Sequence, residues 1–188
     1  MIKKIFLDTE TTSANPMKGG LWQIAGIIEC GKRKEEFVFE CDIYSDDEVQ
    51  QEALDLHKMT LDDLAKKEDP LKTLQYFQHM LGRYVDKYDK KDKFHLINFM
   101  AGFDATVLRE WFLKGGDEFY GSWFFHPPID VAVLAANRLM EERGSFQNFK
   151  LYSVADYLRI EYRKEDLHSA LTDARIAREI YYRVALRL

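Results

Sequence analysis

The chain has 188 residues, 46% of them hydrophobic and 31% charged, which is the composition of a globular protein and excludes a disordered one. That length fits one domain spanning residues 1–188, and it buries enough surface to fold without disulfides or a structural metal. With 27 Lys+Arg against 32 Asp+Glu the formal charge is −5, which argues against a coat protein that holds nucleic acid by a broad basic face.

Ile2 to Leu7 is a short apolar run with β-branched residues, read as the first strand. It is too short for a signal peptide and is broken at once by acids. No stretch approaches the ~20 apolar residues of a membrane span, so the expectation is a soluble, cytoplasmic protein with no membrane attachment. Thr11 to Gly20 carries Pro16, Gly19 and Gly20, which is loop chemistry. Leu21 to Ile28 and Phe37 to Phe39 read as the second and third strands, with Gly31 to Lys34 as the hairpin tip between them. Connections this short admit no crossover helix, so the three strands are expected to run antiparallel. Cys30 and Cys41 fall in neighbouring strands, too few for a disulfide framework or a zinc site, and a reducing compartment is the default.

After Cys41 the pattern turns helical. Leu71, Leu74, Phe77 and Leu81 follow a three-to-four spacing behind Asp69 as cap and Pro70 at the first helical position. Phe94 to Asn98 reads as a fourth strand, and Phe103, Val107 and Trp111 mark a helix ending near Gly115 and Gly116. Phe124 to Ile129 is the fifth expected strand, after which Asp130 introduces a helix over Val131 to Met140. Two more helices are expected over Leu151–Leu158 and Leu171–Leu188, the latter with Ala170, Ala174, Ala177, Tyr181 and Val184 on one face. The order predicts an α/β protein with a mixed five-stranded sheet and helices on both faces.

Chemistry concentrates at three places. Asp8 and Glu10 alternate with Thr9 at the end of the first strand, so both carboxylates leave the same face, where they repel unless a cation lies between them. Asp104 stands at a helix start, where free N–H groups favour an acid in any case. His168 and Asp173 are five residues apart, ~500° of helix or about 140° around the axis, and so converge only if His168 lies in the loop before the helix. Each feature alone has an ordinary explanation as a solvated turn, a cap or a surface residue. Together they place four acids and a histidine at strand ends and helix starts.

In that order, Asp-x-Glu, Asp, His-x4-Asp, the sequence resembles the DEDDh, or DnaQ-like, 3′→5′ exonucleases over nearly its whole length. The segments Gln51–Leu64, Ile129–Ala135, Lys150–Leu158 and His168–Ala174 are similar to the family's corresponding stretches. Two positions depart: Ser13 stands where the family often has Gly, and Asn98 lies six residues before Asp104 rather than four or five, which leaves Asn98 outside the expected site. The resemblance implies a ribonuclease H-like fold, with three antiparallel strands followed by parallel ones. It also implies stepwise hydrolysis of single-stranded nucleic acid, DNA favoured, from a free 3′ end to nucleoside 5′-monophosphates.

The implied mechanism uses two divalent ions, Mg²⁺ or Mn²⁺, held by Asp8, Glu10, Asp104 and Asp173, with His168 taking the proton of the attacking water. Metal charge at the scissile phosphate reconciles a net charge of −5 with a polyanionic substrate. The Thr11–Thr12 backbone, Trp22 and Phe103 are the candidate substrate contacts, by amide bonding and stacking, although Trp22 and Phe103 also fall on apolar patterns that read as core packing. Lys87, Lys90, Lys91 and Lys93 could steer a strand but also read as a solvated face, and Asp130 reads as a helix cap. Rival readings are an exoribonuclease acting on short or structured RNA, and a non-catalytic nucleic-acid-binding module. A polymerase or a replication or repair protein as partner, and monomer against homodimer, stay open. His57, His79, His95, His126 and His168 show no paired zinc-ligand spacing, and Lys18-Gly19-Gly20 lacks the flanks of a phosphate-binding loop.

Overall fold

The structure, a computed structural model, describes residues 1–163 and 168–185. Five strands form one sheet: β1 (Lys3–Thr11), β2 (Leu21–Cys30), β3 (Arg33–Glu40), β4 (His95–Asn98) and β5 (Ile129–Asp130), in the order β3-β2-β1-β4-β5. The first three pair antiparallel, and β4 joins β1 and β5 in parallel. Between and after them come α1 (Gln51–His57), α2 (Leu61–Leu64), α3 (Pro70–Gly82), α4 (Ala101–Lys114), α5 (Val131–Arg138), α6 (Leu151–Tyr157) and α7 (Ala170–Ala185).

Strand alternation sorts β1 onto two cores. Ile5 and Leu7 pack with Leu74, Phe77 and Leu81 of α3 and with Val107, Trp111 and Phe112 of α4. Phe6 points the other way, into a core built from Val131 and Ala135 of α5, Val154 and Ala155 of α6, and Ile176, Ala177 and Ile180 of α7. Helices therefore cover both faces, as the apolar pattern requires. Opposite Leu7, only glycine fits at Gly26: a Cβ there would stand 2.2 Å from the Phe6 carbonyl oxygen.

Several boundaries differ from expectation. β1 does not stop at Leu7; it continues through the acids to Thr11, because Asp8, Thr9 and Glu10 are held by pairing to Ala25, Ile24 and Gln23 of the apolar β2. The hairpin tip is only Gly31 and Lys32, since Arg33 already pairs with Cys30. The charged start of β3 looked like a loop but is an edge strand, where charges are tolerated and discourage further pairing. β5 is two residues long rather than six. Pro127 and Pro128 lack the N–H a ladder needs, and Phe124 contributes only an isolated bridge to Phe94. α5 stops at Arg138, short of Met140, while α7 opens one residue earlier than expected, at Ala170, and its expected end at Leu188 lies outside the described residues. Both cysteines are free, and no described helix is long and apolar enough to cross a membrane.

Candidate active site

The site lies beyond the C-terminal end of β4, where β1 outruns its neighbour. Parallel pairing ends with Phe6 opposite Ile97, so Asp8 and Glu10 project past the sheet's parallel half, on the same face as Phe6. That is the face crossed by α7. Ala170, Ala174 and Ala177 are fully buried and let that helix lie close to the sheet, bringing Asp173 in its first turn toward β1. Thr9 points to the opposite face and reaches the start of α4: Asp104 Oδ1 accepts from the Thr9 backbone N–H at 3.1 Å and from its hydroxyl at 2.8 Å.

Asn98 joins the acids. It is the last residue of β4 and 1% exposed, and its Nδ2 donates to Asp8 Oδ1 at 2.9 Å and to Asp104 Oδ2 at 2.7 Å. The expectation that Asn98 stands outside the site is therefore wrong. The chain turns sharply between β4 and α4 through Met100 (φ 63°, ψ 42°), and this tight turn, rather than linear spacing, lets a residue six before Asp104 meet its carboxylate. Asp130 holds the same turn: its Oδ1 accepts from the N–H groups of Ala132, Val133 and Met100, so it caps α5 and braces the Met100 bend.

Electrostatically the cluster is poised for a cation. Asp8 is raised well above the ordinary carboxylate range, first by burial and then by the charges of Asp104, Glu10 and Asp173. Burial pushes Asp104 up to about 7 against the bonds it accepts from Thr9 and Asn98. Asp173 also rises to about 7, from burial and the nearby Glu10. Among the described residues no three His, Cys, Asp or Glu side chains stand as a ready-made metal shell. The acids still feel one another's charge. The donor set nonetheless fits a hard divalent ion: all its atoms are carboxylate oxygens, and Glu10 Oε1 is buried with no hydrogen-bond partner.

The other oxygen of Glu10 lies 3.2 Å from His57 Nε2, and the His57 ring sits edge-on to Trp22 with centroids 5.0 Å apart. Trp22 is 5% exposed and packs with Leu54 and Leu64, so it stands behind His57 and does not offer a stacking face to a ligand. Its indole is claimed by the small core under α1 and α2. Thr12 is likewise internal: its N–H donates to the Gly20 carbonyl, and its hydroxyl donates to Glu48 O and accepts from Gly20 N–H. It ties the loop down rather than presenting a backbone amide. Thr11 and half-buried Phe103 do face an open groove of about 360 Å³, which Thr9, Glu10, Leu56 and His57 also line. The lysines at 87, 90, 91 and 93 precede β4 and so lie at the opposite end of the sheet from the acids.

His168 occupies the turn before α7 with φ 61°, and Asp173 lies in the first helical turn, the arrangement their spacing demands. Among the described residues the imidazole makes no hydrogen bond or ion pair to the four acids. Its neighbour is Tyr152 of α6, whose ring meets it edge-on at 5.7 Å. The Tyr152 hydroxyl donates to Asp173 Oδ1 and accepts from the His168 backbone N–H at 2.9 Å. Asn98, His57 and Tyr152 are thus the site neighbours that sequence reasoning missed. Asn98 carried a signal as a polar residue closing an apolar strand, and His57 and Tyr152 lay inside the segments Gln51–Leu64 and Lys150–Leu158 that resemble the family's.

A family model described as an exonuclease of the RNase T type matches residues 5–181. The fold matches E. coli exonuclease I in complex with a dT13 oligonucleotide, with TM-score 0.77 and 19% identity over 100% of this chain and 42% of that one. It matches the E. coli exonuclease I complex with a dA16 oligonucleotide at TM-score 0.72 and 18% identity, over 100% and 42% of the two chains. Product-bound exonuclease I gives 0.74 and 17%, over 100% and 45%. The chain thus spans less than half the length of these structures. No curated protein matches it by sequence.

Proposed function

Because the chain belongs to the DnaQ-like family of 3′→5′ exonucleases, we propose that it removes nucleoside 5′-monophosphates from the 3′ end of single-stranded DNA by divalent-metal-dependent hydrolysis. The observation that carries this reading is the convergence of Asp8 and Glu10 from β1, Asp104 from α4 and Asp173 from α7. They form one half-buried cluster in which desolvation, and then the charges of its three acidic neighbours, push Asp8 up. Such a cluster of carboxylates is an unfavourable arrangement unless its function is to bind positive charge.

Asp8, Glu10, Asp104 and Asp173 would hold two Mg²⁺ or Mn²⁺ ions, which when bound supply Lewis-acid stabilisation to the attacking and leaving oxygens at phosphorus. The chain's own residues do the rest. Asn98 spaces Asp8 from Asp104 and keeps both turned toward the same volume. His168, on an exposed turn, accepts the proton of the attacking water as a general base. Phe103 and Leu56 give the groove apolar walls against which terminal bases can stack. The preference for DNA is supported by the likeness to exonuclease I, whose structures hold dT13 and dA16.

The test is digestion of matched 5′-labelled DNA and RNA oligomers in Mg²⁺, Mn²⁺ and chelator. A ladder shortening from the 3′ end, faster on DNA, abolished by chelator and lost in Asp8→Asn, is expected. Faster digestion of RNA would reverse the substrate assignment, and full activity of Asp8→Asn would remove the metal assignment.

A further inference from the structure

We propose that Tyr152 is a positioning residue of this site, one hydroxyl setting the place of His168 relative to Asp173. The proposal rests on the functional reading above. The hydroxyl of Tyr152 does two things at once: it donates to the Asp173 carboxylate Oδ1 and accepts the backbone N–H of His168 at 2.9 Å. The first bond leaves Oδ2 as the oxygen of Asp173 free to face the cluster. The second pins a turn that needs pinning, because His168 is a non-glycine residue at φ 61°, a conformation a side-chain-bearing residue adopts only when its surroundings hold it. Tyr152 is itself held. It projects from α6, whose Val154 and Ala155 are fully buried, and its ring packs against Tyr162 at 5.4 Å, tilted, and edge-on against His168 at 5.7 Å. The candidate proton acceptor in the turn before α7 and one candidate metal ligand in α7 are therefore tied, through a single oxygen, to a second helix, α6.

The geometry separates this role from simple packing. Tyr162, the neighbouring ring, spends its hydroxyl on Asp156, away from the acids, so removing that oxygen tests the stacking environment without touching the site. Substituting Tyr152→Phe keeps the ring and deletes only the shared oxygen.

The experiment compares wild type, Tyr152→Phe and Tyr162→Phe by steady-state kinetics on a 5′-labelled dT oligomer in Mg²⁺ and by amide hydrogen exchange of the metal-free proteins. Loss of a residue that orients a metal ligand costs about 10- to 100-fold in activity. The expected result is a kcat loss of that size in Tyr152→Phe with KM for the oligomer and melting temperature retained. The His168 amide should exchange at least about tenfold faster in Tyr152→Phe, since its acceptor is gone, while Tyr162→Phe resembles wild type in both readouts. Unchanged kcat in Tyr152→Phe, a loss through KM alone, or an equal loss in Tyr162→Phe would overturn the proposal. Wild-type protein inactive on every nucleic acid would instead overturn the functional reading, and the exchange of the His168 amide would still decide whether Tyr152 pins the turn.

Discussion

Replacing Asp104 by Asn should stabilise the metal-free protein at pH 8 and destabilise it at pH 4.5. The carboxyl is 3% exposed and raised from 3.8 to about 7. Between those values the folded protein keeps a proton that the unfolded chain has released. The stability tied to this group is therefore complete below pH 3.8 and is lost as pH rises toward 7. At about 1.4 kcal/mol per pH unit, over roughly three units, the loss is on the order of 4 kcal/mol by pH 7 and constant above it. Asparagine carries no such penalty. Its carbonyl still accepts from Thr9, but its amide nitrogen would face Asn98 Nδ2, donor against donor, at a cost of about 1–3 kcal/mol at every pH. The carboxyl's penalty is about 1 kcal/mol at pH 4.5 and about 4 kcal/mol at pH 8, so the two contributions predict a net gain of roughly 1–3 kcal/mol at pH 8, a net loss of up to about 2 kcal/mol at pH 4.5, and a crossing near pH 5. Urea denaturation in chelator from pH 4.5 to 8.5 measures this directly, and added Mg²⁺ should stabilise wild type more than the variant. A difference in stability that does not vary with pH would refute the claim that burial of this charge dominates the site's energetics.

Two further substitutions probe other parts of the cluster. His168→Ala should lower kcat by about 10²- to 10⁴-fold while leaving Mn²⁺ binding intact by calorimetry, because the residue moves a proton and holds no metal in this scheme. Asn98→Ala deletes the donor shared by Asp8 and Asp104 and should cost about 1–3 kcal/mol at pH 8, shrinking as the pH falls below about 7 and Asp104 takes up its proton, as read by urea midpoints.

Much of this molecule could be read from local pattern because two periodicities do most of the work. Alternation along Ile5 to Glu10 already put both acids on one face, and the alanine spacing of residues 170, 174 and 177 already marked α7 as a close-packed helix. The demand that His168 precede the helix and Asp173 lie within it followed from 100° per residue alone. Where the pattern failed, a partner strand or a pair of prolines overrode it. The acidic end of β1 is strand because β2 holds it there, and Pro127 and Pro128 denied β5 the length its apolar residues suggested.

The sequence by itself determined which residues could carry charge and on which side of each element they stand, because covalent geometry sets those directions one residue at a time. Tertiary structure alone decided which neighbours those charges meet: Asn98 between Asp8 and Asp104, His57 against Glu10, and Tyr152 between Asp173 and the His168 turn; it also decided between core and contact for Trp22 and Thr12, both of which it buries. Such meetings depend on how the Met100 bend and the packing of α1, α6 and α7 bring distant segments together. Hydrogen bonds and Coulomb interactions depend on ångström-scale distances that no spacing along the chain encodes.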